Sequence, residues 1–189
     1  MDDGHIWLEV IVIILLVLAN GVCSLAEIAI VGARKTKLQE MIDEGNKNAA
    51  YALRLAERKD ELFATIQVGI TTISIITGMF SGASLAGPLA EEMAKFPPLA
   101  PYAQAVSMVT VMVLVTYFSL IIGELAPKWI AIDIPEKAAC FVARPMIILA
   151  TVCKPLVVFS TWSTKTVVGL LGIHMEGEQP VSELSLIHI

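Results

Sequence analysis

Apolar and polar positions divide the chain into long apolar runs separated by short charged connections. Three runs, Ile6 to Val31, Leu62 to about Leu85 and Ala103 to Ile122, predict helices long enough to cross a bilayer. A hydrocarbon core of about 30 Å takes roughly 20 helical residues. The connection "ARKTKLQEMIDEGNKNAAYALRLAERKDEL" has a helical period instead. Leu38, Met41 and Ile42 form one apolar strip, Ala49, Leu53 and Ala56 another, with a break at Gly45-Asn46. Two short amphipathic helices are predicted there. After Lys128 the chain stays apolar, but Pro135, Pro145 and Pro155 interrupt it and Arg144, Lys154 and Lys165 recur. Helices over about 136–172 that lie at the cytoplasmic interface, with basic side chains snorkelling, fit this pattern. A fourth crossing over Pro155 to Gly172 competes with it. The expected fold class is an all-α integral membrane protein: three transmembrane helices plus cytoplasmic-side juxtamembrane helices, with residues 1–173 as the membrane module.

Composition strengthens the membrane assignment. Hydrophobic residues make up 56% of the 189 and charged residues 16%, far too apolar for an ordinary soluble domain. The first run has no basic leader and carries Asn20 and Glu27, so it is read as structure rather than as a cleaved signal. Seven of the 13 Lys and Arg residues fall in the connection after the first run, one (Lys95) follows the second, and none precedes the first. The positive-inside rule then puts that connection and the C-terminus in the cytoplasm and the N-terminus outside. A multi-pass protein of the plasma membrane is expected, in contact with membrane lipid. The net charge of −5 with no isolated basic stripe gives no reason to expect a nucleic-acid partner.

Little else in the sequence carries chemistry. Cys23, Cys140 and Cys153 have no metal or disulfide spacing and read as small hydrophobes. The three histidines lie near the chain ends, and no nucleotide-binding loop or metalloprotease motif is present, so an enzyme is not expected.

Polar residues inside the apolar runs form three groups. Asn20, Ser24 and Glu27 share one face of the first run, beside Gly21. Gln67, Thr71, Ser74, Gly78 and Ser81 recur at helical spacing in the second, where small residues permit close helix approach and Gly78-x-x-x-Gly82 offers a contact between subunits. In "SLIIGELAPKW" Pro127 lacks the amide that would bond the Gly123 carbonyl, so that oxygen is expected free beside the Glu124 carboxylate. Unsatisfied backbone at membrane depth needs protein, water or an ion. Ser24, Ser74, Gly123 and Glu124, with Asn20, Glu27 and Thr71 as further candidates, would make an all-oxygen cage suited to a hard cation such as Mg2+. Plainer roles stay open. Glu124 and Lys128, four apart, can pair; Glu27 can pair with Lys128; hydroxyls can bond backbone carbonyls.

"SLAEIAIVGARKTKLQEM", "IQVGITTISIITGMFSG" and "GELAPKWIA" together resemble the membrane module of the CorC/cyclin M magnesium transporters, over about Ile6 to Gly172. The resemblance implies a homodimer with three transmembrane helices per subunit and a belt of juxtamembrane helices. It implies Mg2+ bound between helices and exported, with Na+ as the proposed coupling ion. By motif, Ser24 and Glu124 are its first- and third-helix ligands. The second run departs from the family pattern: Ile70 and Ser74 stand where many members carry Asn. The family also implies a pair of CBS domains after an acidic linker, here 174–189. "LSLIHI" at the end matches what a sequencing adapter would encode, so the native chain is expected to be cut short near Glu183. Some bacterial relatives are called hemolysin-like.

Three functions compete: a divalent-cation exporter, a non-transporting membrane anchor or sensor for cytoplasmic domains, and a polyamine exporter. The lack of aromatic residues on the polar face weighs against the last.

Overall fold

A computed structural model describes residues 3–170. Among these residues seven α-helices follow one another: α1 (Asp3–Gly32), α2 (Lys35–Asp43), α3 (Lys47–Glu57), α4 (Lys59–Ala94), α5 (Ala103–Leu120), α6 (Ala126–Asp133) and α7 (Pro135–Leu170). A 3-10 turn, Ala100–Tyr102, leads into α5, and a π-helical turn, Ile121–Leu125, joins α5 to α6. The chain divides into two units, Met1–Lys154 and Pro155–Ile189. Of the second, only the C-terminal part of α7 lies within the described residues. The acidic 174–189 segment lies outside them.

The two short helices form where the periodicity places them. Gly45 takes φ +92°, the left-handed conformation that ends a helix at low steric cost. Asn46 then caps α3, its side-chain oxygen accepting from the Asn48 amide at 3.0 Å. Leu38 of α2 and Ala49, Ala52 and Ala56 of α3 are buried, and Met41, Ile42 and Leu53 pack against them.

These helices meet the end of α1 and the start of α7. Ala26, Ala29 and Ile30 of α1 share one core with Ala139, Val142, Ala143 and Met146 of α7. Alanines dominate because they let helix backbones approach closely. Glu136, at the start of α7, is buried and accepts from Arg34 at 3.1 Å and Lys37 at 3.3 Å, which fastens α7 to the α1–α2 junction.

Helix α4 packs against both α1 and α5. Ser107 of α5 is fully buried and donates to the Ala86 carbonyl of α4 at 2.9 Å. Pro88 sits inside α4 without ending it, so this helix outruns the predicted 62–85 segment. Met108, Val109, Met112, Val113, Tyr117 and Phe118 of α5 remain exposed, an apolar face suited to lipid or to another helix.

The region after Lys128 differs from the broken helices expected there. Pro145 and Pro155 both lie inside one continuous α7. A proline removes a single amide from the ladder, and neighbouring helices can compensate for that loss. Among the described residues four helical stretches are long and apolar enough to cross a membrane: Ile6–Gly32, Glu61–Ala94, Ala100–Asp133 and Pro135–Leu170. The chain is therefore a membrane protein, all-helical over the described residues, with several candidate spans.

Candidate functional site

The site begins with a proline. Pro127 cannot donate a main-chain hydrogen bond, and the chain widens into a π turn just ahead of it. The Ala126 amide bonds the Ile121 carbonyl, five residues back. This turn presses against α1 through two glycines. A methyl at Gly21 would lie 3.1 Å from the Ile122 carbonyl oxygen and 3.2 Å from Pro127 Cγ. One at Gly123 would lie 3.2 Å from the Val17 carbonyl oxygen.

That close approach changes the fate of the carbonyl expected to be free. Gly123 O accepts a hydrogen bond from Asn20 Nδ2 at 3.1 Å. Spacing along one helix gave no sign that an amide from α1 reaches this oxygen. Only a nitrogen can face the carbonyl, so the orientation of the Asn20 amide is fixed. Its Oδ1 is buried and has no hydrogen-bond partner. The unsatisfied acceptor has thus moved from the main chain of the π turn to the side chain of Asn20.

Two further oxygens share that condition. Ser24 Oγ, one turn along α1, is fully buried and unpaired, and so is the Ser119 Oγ atom of α5. A buried polar atom without a partner typically costs about 1–3 kcal/mol. Such atoms persist where a ligand, water or ion completes them.

A cavity of about 240 Å3 opens between α1, α4, α5 and the π turn. Asn20, Ser74 and Glu124 line it, together with Thr77, Thr116 and Ser119. Three sequence candidates therefore meet at one space. Ser24, Gly123, Glu27 and Thr71 do not line it. Ser24 and Gly123 adjoin Asn20 by helix spacing and by hydrogen bond respectively, whereas Thr71 is exposed on α4 with Gln67 Nε2 at 3.5 Å. Gln67 and Ser74 are also exposed, so the polar face of α4 is turned only partly inward. Thr116 and Ser119 carry no signal of their own in the sequence beyond helical spacing: they lie seven and four residues before Gly123.

Glu124 is held by a charge. Lys128 Nζ lies 3.0 Å from Glu124 Oε1 and 3.3 Å from Glu27 Oε2, bridging α1 and α6 to the π turn. Both ion pairs that sequence spacing left open are formed. All three side chains are partly exposed, with Glu124 the most open at 45%. One ammonium between two carboxylates leaves a formal charge of −1 at the cavity edge. Among the described residues no three His, Cys, Asp or Glu side chains converge, so the donors here are carboxylate, amide and hydroxyl oxygens. That set favours hard cations over soft metals.

The family model of the cyclin M transmembrane N-terminal domain matches residues 11–189. The UPF0053 protein sll0260 of Synechocystis is 42% identical over 97% of this chain and 41% of its own length. YrkA of Bacillus subtilis, also a UPF0053 protein, is 29% identical over 96% of this chain and 41% of its own. The polyamine export protein of Escherichia coli K12 is 29% identical over 80% of this chain and 34% of its own. The chain spans about two fifths of the length of the first two relatives.

Proposed function

This chain belongs to the cyclin M transmembrane-domain family, and we propose that it carries a dehydrated divalent cation, Mg2+, between its membrane helices and exports it. Asn20 Oδ1, Ser74 and Ser119 supply neutral oxygens and Glu124 supplies the charge; Ser24 and the second lone pair of the Gly123 carbonyl complete the set as helices shift. The observation that carries this reading is the buried, unpaired Asn20 Oδ1 beside the cavity that Glu124 lines. Without cargo, Lys128 holds Glu124, which keeps an unpaired carboxylate out of a low-dielectric setting. On loading, the cation takes Glu124 and the ammonium stays with Glu27.

The topology proposed is three crossings, α1, α4 and the α5–α6 stretch, with α7 along the cytoplasmic interface. Exposed Lys137, Arg144 and Lys154 on α7 support it, as does the packing of α7 on the basic α2–α3 side of the chain. A homodimer is proposed too. A Cβ at Gly78 or Gly82 meets nothing within 4 Å, so this small-residue face has room for a second copy against the exposed face of α5. Na+ is proposed as the coupling ion on family resemblance alone.

Reconstitution tests transport. Liposomes holding the protein and a Mg2+ indicator are expected to show Mg2+ flux that Glu124→Gln abolishes. Equal flux from the variant would refute Glu124 as the cargo's charge, and no flux from either protein would refute the transporter and favour an anchor.

A second substrate class has one observation in its favour. An entirely apolar cavity of about 380 Å3, lined by Ile13, Leu85 and Phe118 among others, shares Val17 and Val115 with the polar one. A polyamine would place methylenes there and an ammonium at Glu124. The Escherichia coli relative is a polyamine export protein. Competition by cadaverine against Mg2+ separates the two substrates.

A further inference from the structure

A second charged crevice lies away from the cation site, between α3, the start of α4 and α7, with a volume of about 350 Å3. Arg54 comes from α3, Arg58 from the α3–α4 junction and Lys154 from α7, so three separate elements bring basic side chains to one place. Arg144 sits over the Tyr51 ring, 5.9 Å from its centroid, and Tyr51 lines the same crevice. Glu61 is the counter-charge, paired with Arg58, but that pair is exposed and weak. Three cations against one carboxylate leave a formal charge of +2.

The rest of the wall is mostly apolar, Leu55, Leu62, Ile147 and Ala150, with Thr65 and Thr151, whose hydroxyls bond their own helix's carbonyls. Leu62 also opens the apolar run of α4, which places the crevice at the boundary between water and hydrocarbon. Charge alone would suit any soluble anion. Basic groups beside an apolar wall at membrane depth suit a ligand that is anionic at one end and greasy at the other.

We propose that this crevice binds an anionic phospholipid, its phosphate held by Arg54, Arg58 and Lys154 and its glycerol and first methylenes resting on Leu55, Leu62 and Ile147. The connection that carries seven of the 13 basic residues contributes α3, so the site faces the leaflet that the positive-inside rule assigns to the cytoplasm. Bound there, the lipid ties α3 to α7 across the crevice. The inference needs the membrane topology but not the identity of the transported cation.

Native mass spectrometry of the full chain in detergent, with equal phosphatidylglycerol and phosphatidylcholine added, is the test. The protein is expected to retain phosphatidylglycerol preferentially. Arg54→Gln and Lys154→Gln are each expected to cut that preference about fivefold, the ratio equivalent to ~1 kcal/mol per basic group. Lys95→Gln, whose charge lies elsewhere, is expected to leave it unchanged. Heat stability measured without lipid confirms folding, and Lys154→Arg, which keeps the charge, is expected to restore retention if the glutamine variant is unstable. Equal retention of both lipids, or an equal loss in Lys95→Gln, would overturn the proposal. So would displacement of the lipid by millimolar glycerol phosphate, which would make the occupant a soluble phosphate.

Discussion

Asn20 on α1 donates its side-chain amide to the main-chain carbonyl of Gly123 in the π turn, 3.1 Å away. This one bond joins the proline-induced distortion of the α5–α6 stretch to the first helix, and it aims Asn20 Oδ1 away from the carbonyl. Asn20→Leu would leave Gly123 O without its donor in a buried setting. Deleting the unpaired Oδ1 offsets part of that cost, so the expected loss is about 1 kcal/mol, read as a lower unfolding temperature. Asn20→Asp would place a carboxylate against a carbonyl and is expected to cost more at neutral pH.

Gly21 and Gly123 are where α1 and the π turn come closest. Gly21→Ala must push Ile122 or Pro127 aside, at about 1–3 kcal/mol for overpacking. Gly78→Ala meets open space and is expected to leave a protomer's heat stability unchanged while weakening self-association. Paired thermal and cross-linking measurements distinguish the two glycines. Similar thermal losses in both would mean that close approach is not special to Gly21.

Lys128 competes with cargo for Glu124. Lys128→Gln removes a unit charge from the cavity edge and is expected to raise apparent Mg2+ affinity about tenfold, equivalent to ~1.4 kcal/mol. Isothermal titration reads this directly. Weaker binding in the variant would show that Lys128 positions the carboxylates instead of competing for them.

Restoring the missing amide tests the π turn. Pro127→Ala lets the ladder close in the ordinary α pattern, so heat stability is expected to hold or rise. Glu124 would then rotate relative to α1, and the Mg2+ response is expected to fall. A variant that binds Mg2+ normally would show that the wide turn is dispensable.

Much of this was legible in the sequence. Gly45 and Asn46 announced the α2–α3 break because a left-handed glycine and an N-cap are local devices. Glu124, Lys128 and Glu27 were recognisable as possible partners from spacing and depth alone. The Asn20–Gly123 bond was not, because it joins residues 103 positions apart and depends on how closely two glycines let helices approach. Continuity of α7 is hidden by local signals instead. Three prolines in an apolar stretch predict breaks, but each removes only one amide from a helix whose other amides are satisfied. Ser119 is not legible as a site residue, because a serine in an apolar helix usually bonds its own backbone, whereas here its hydroxyl is buried and unpaired.

The most direct measurement is the Mg2+ dependence of heat stability for the purified chain and for Glu124→Gln. A cation seated among Asn20, Ser74 and Glu124 stabilises the folded state by mass action, by about 2.7 kcal/mol at a hundredfold excess over its dissociation constant. The unsubstituted protein is expected to gain stability as Mg2+ rises through the millimolar range, and Glu124→Gln to gain little. Equal gains in both would contradict the placement of the cargo at this cavity.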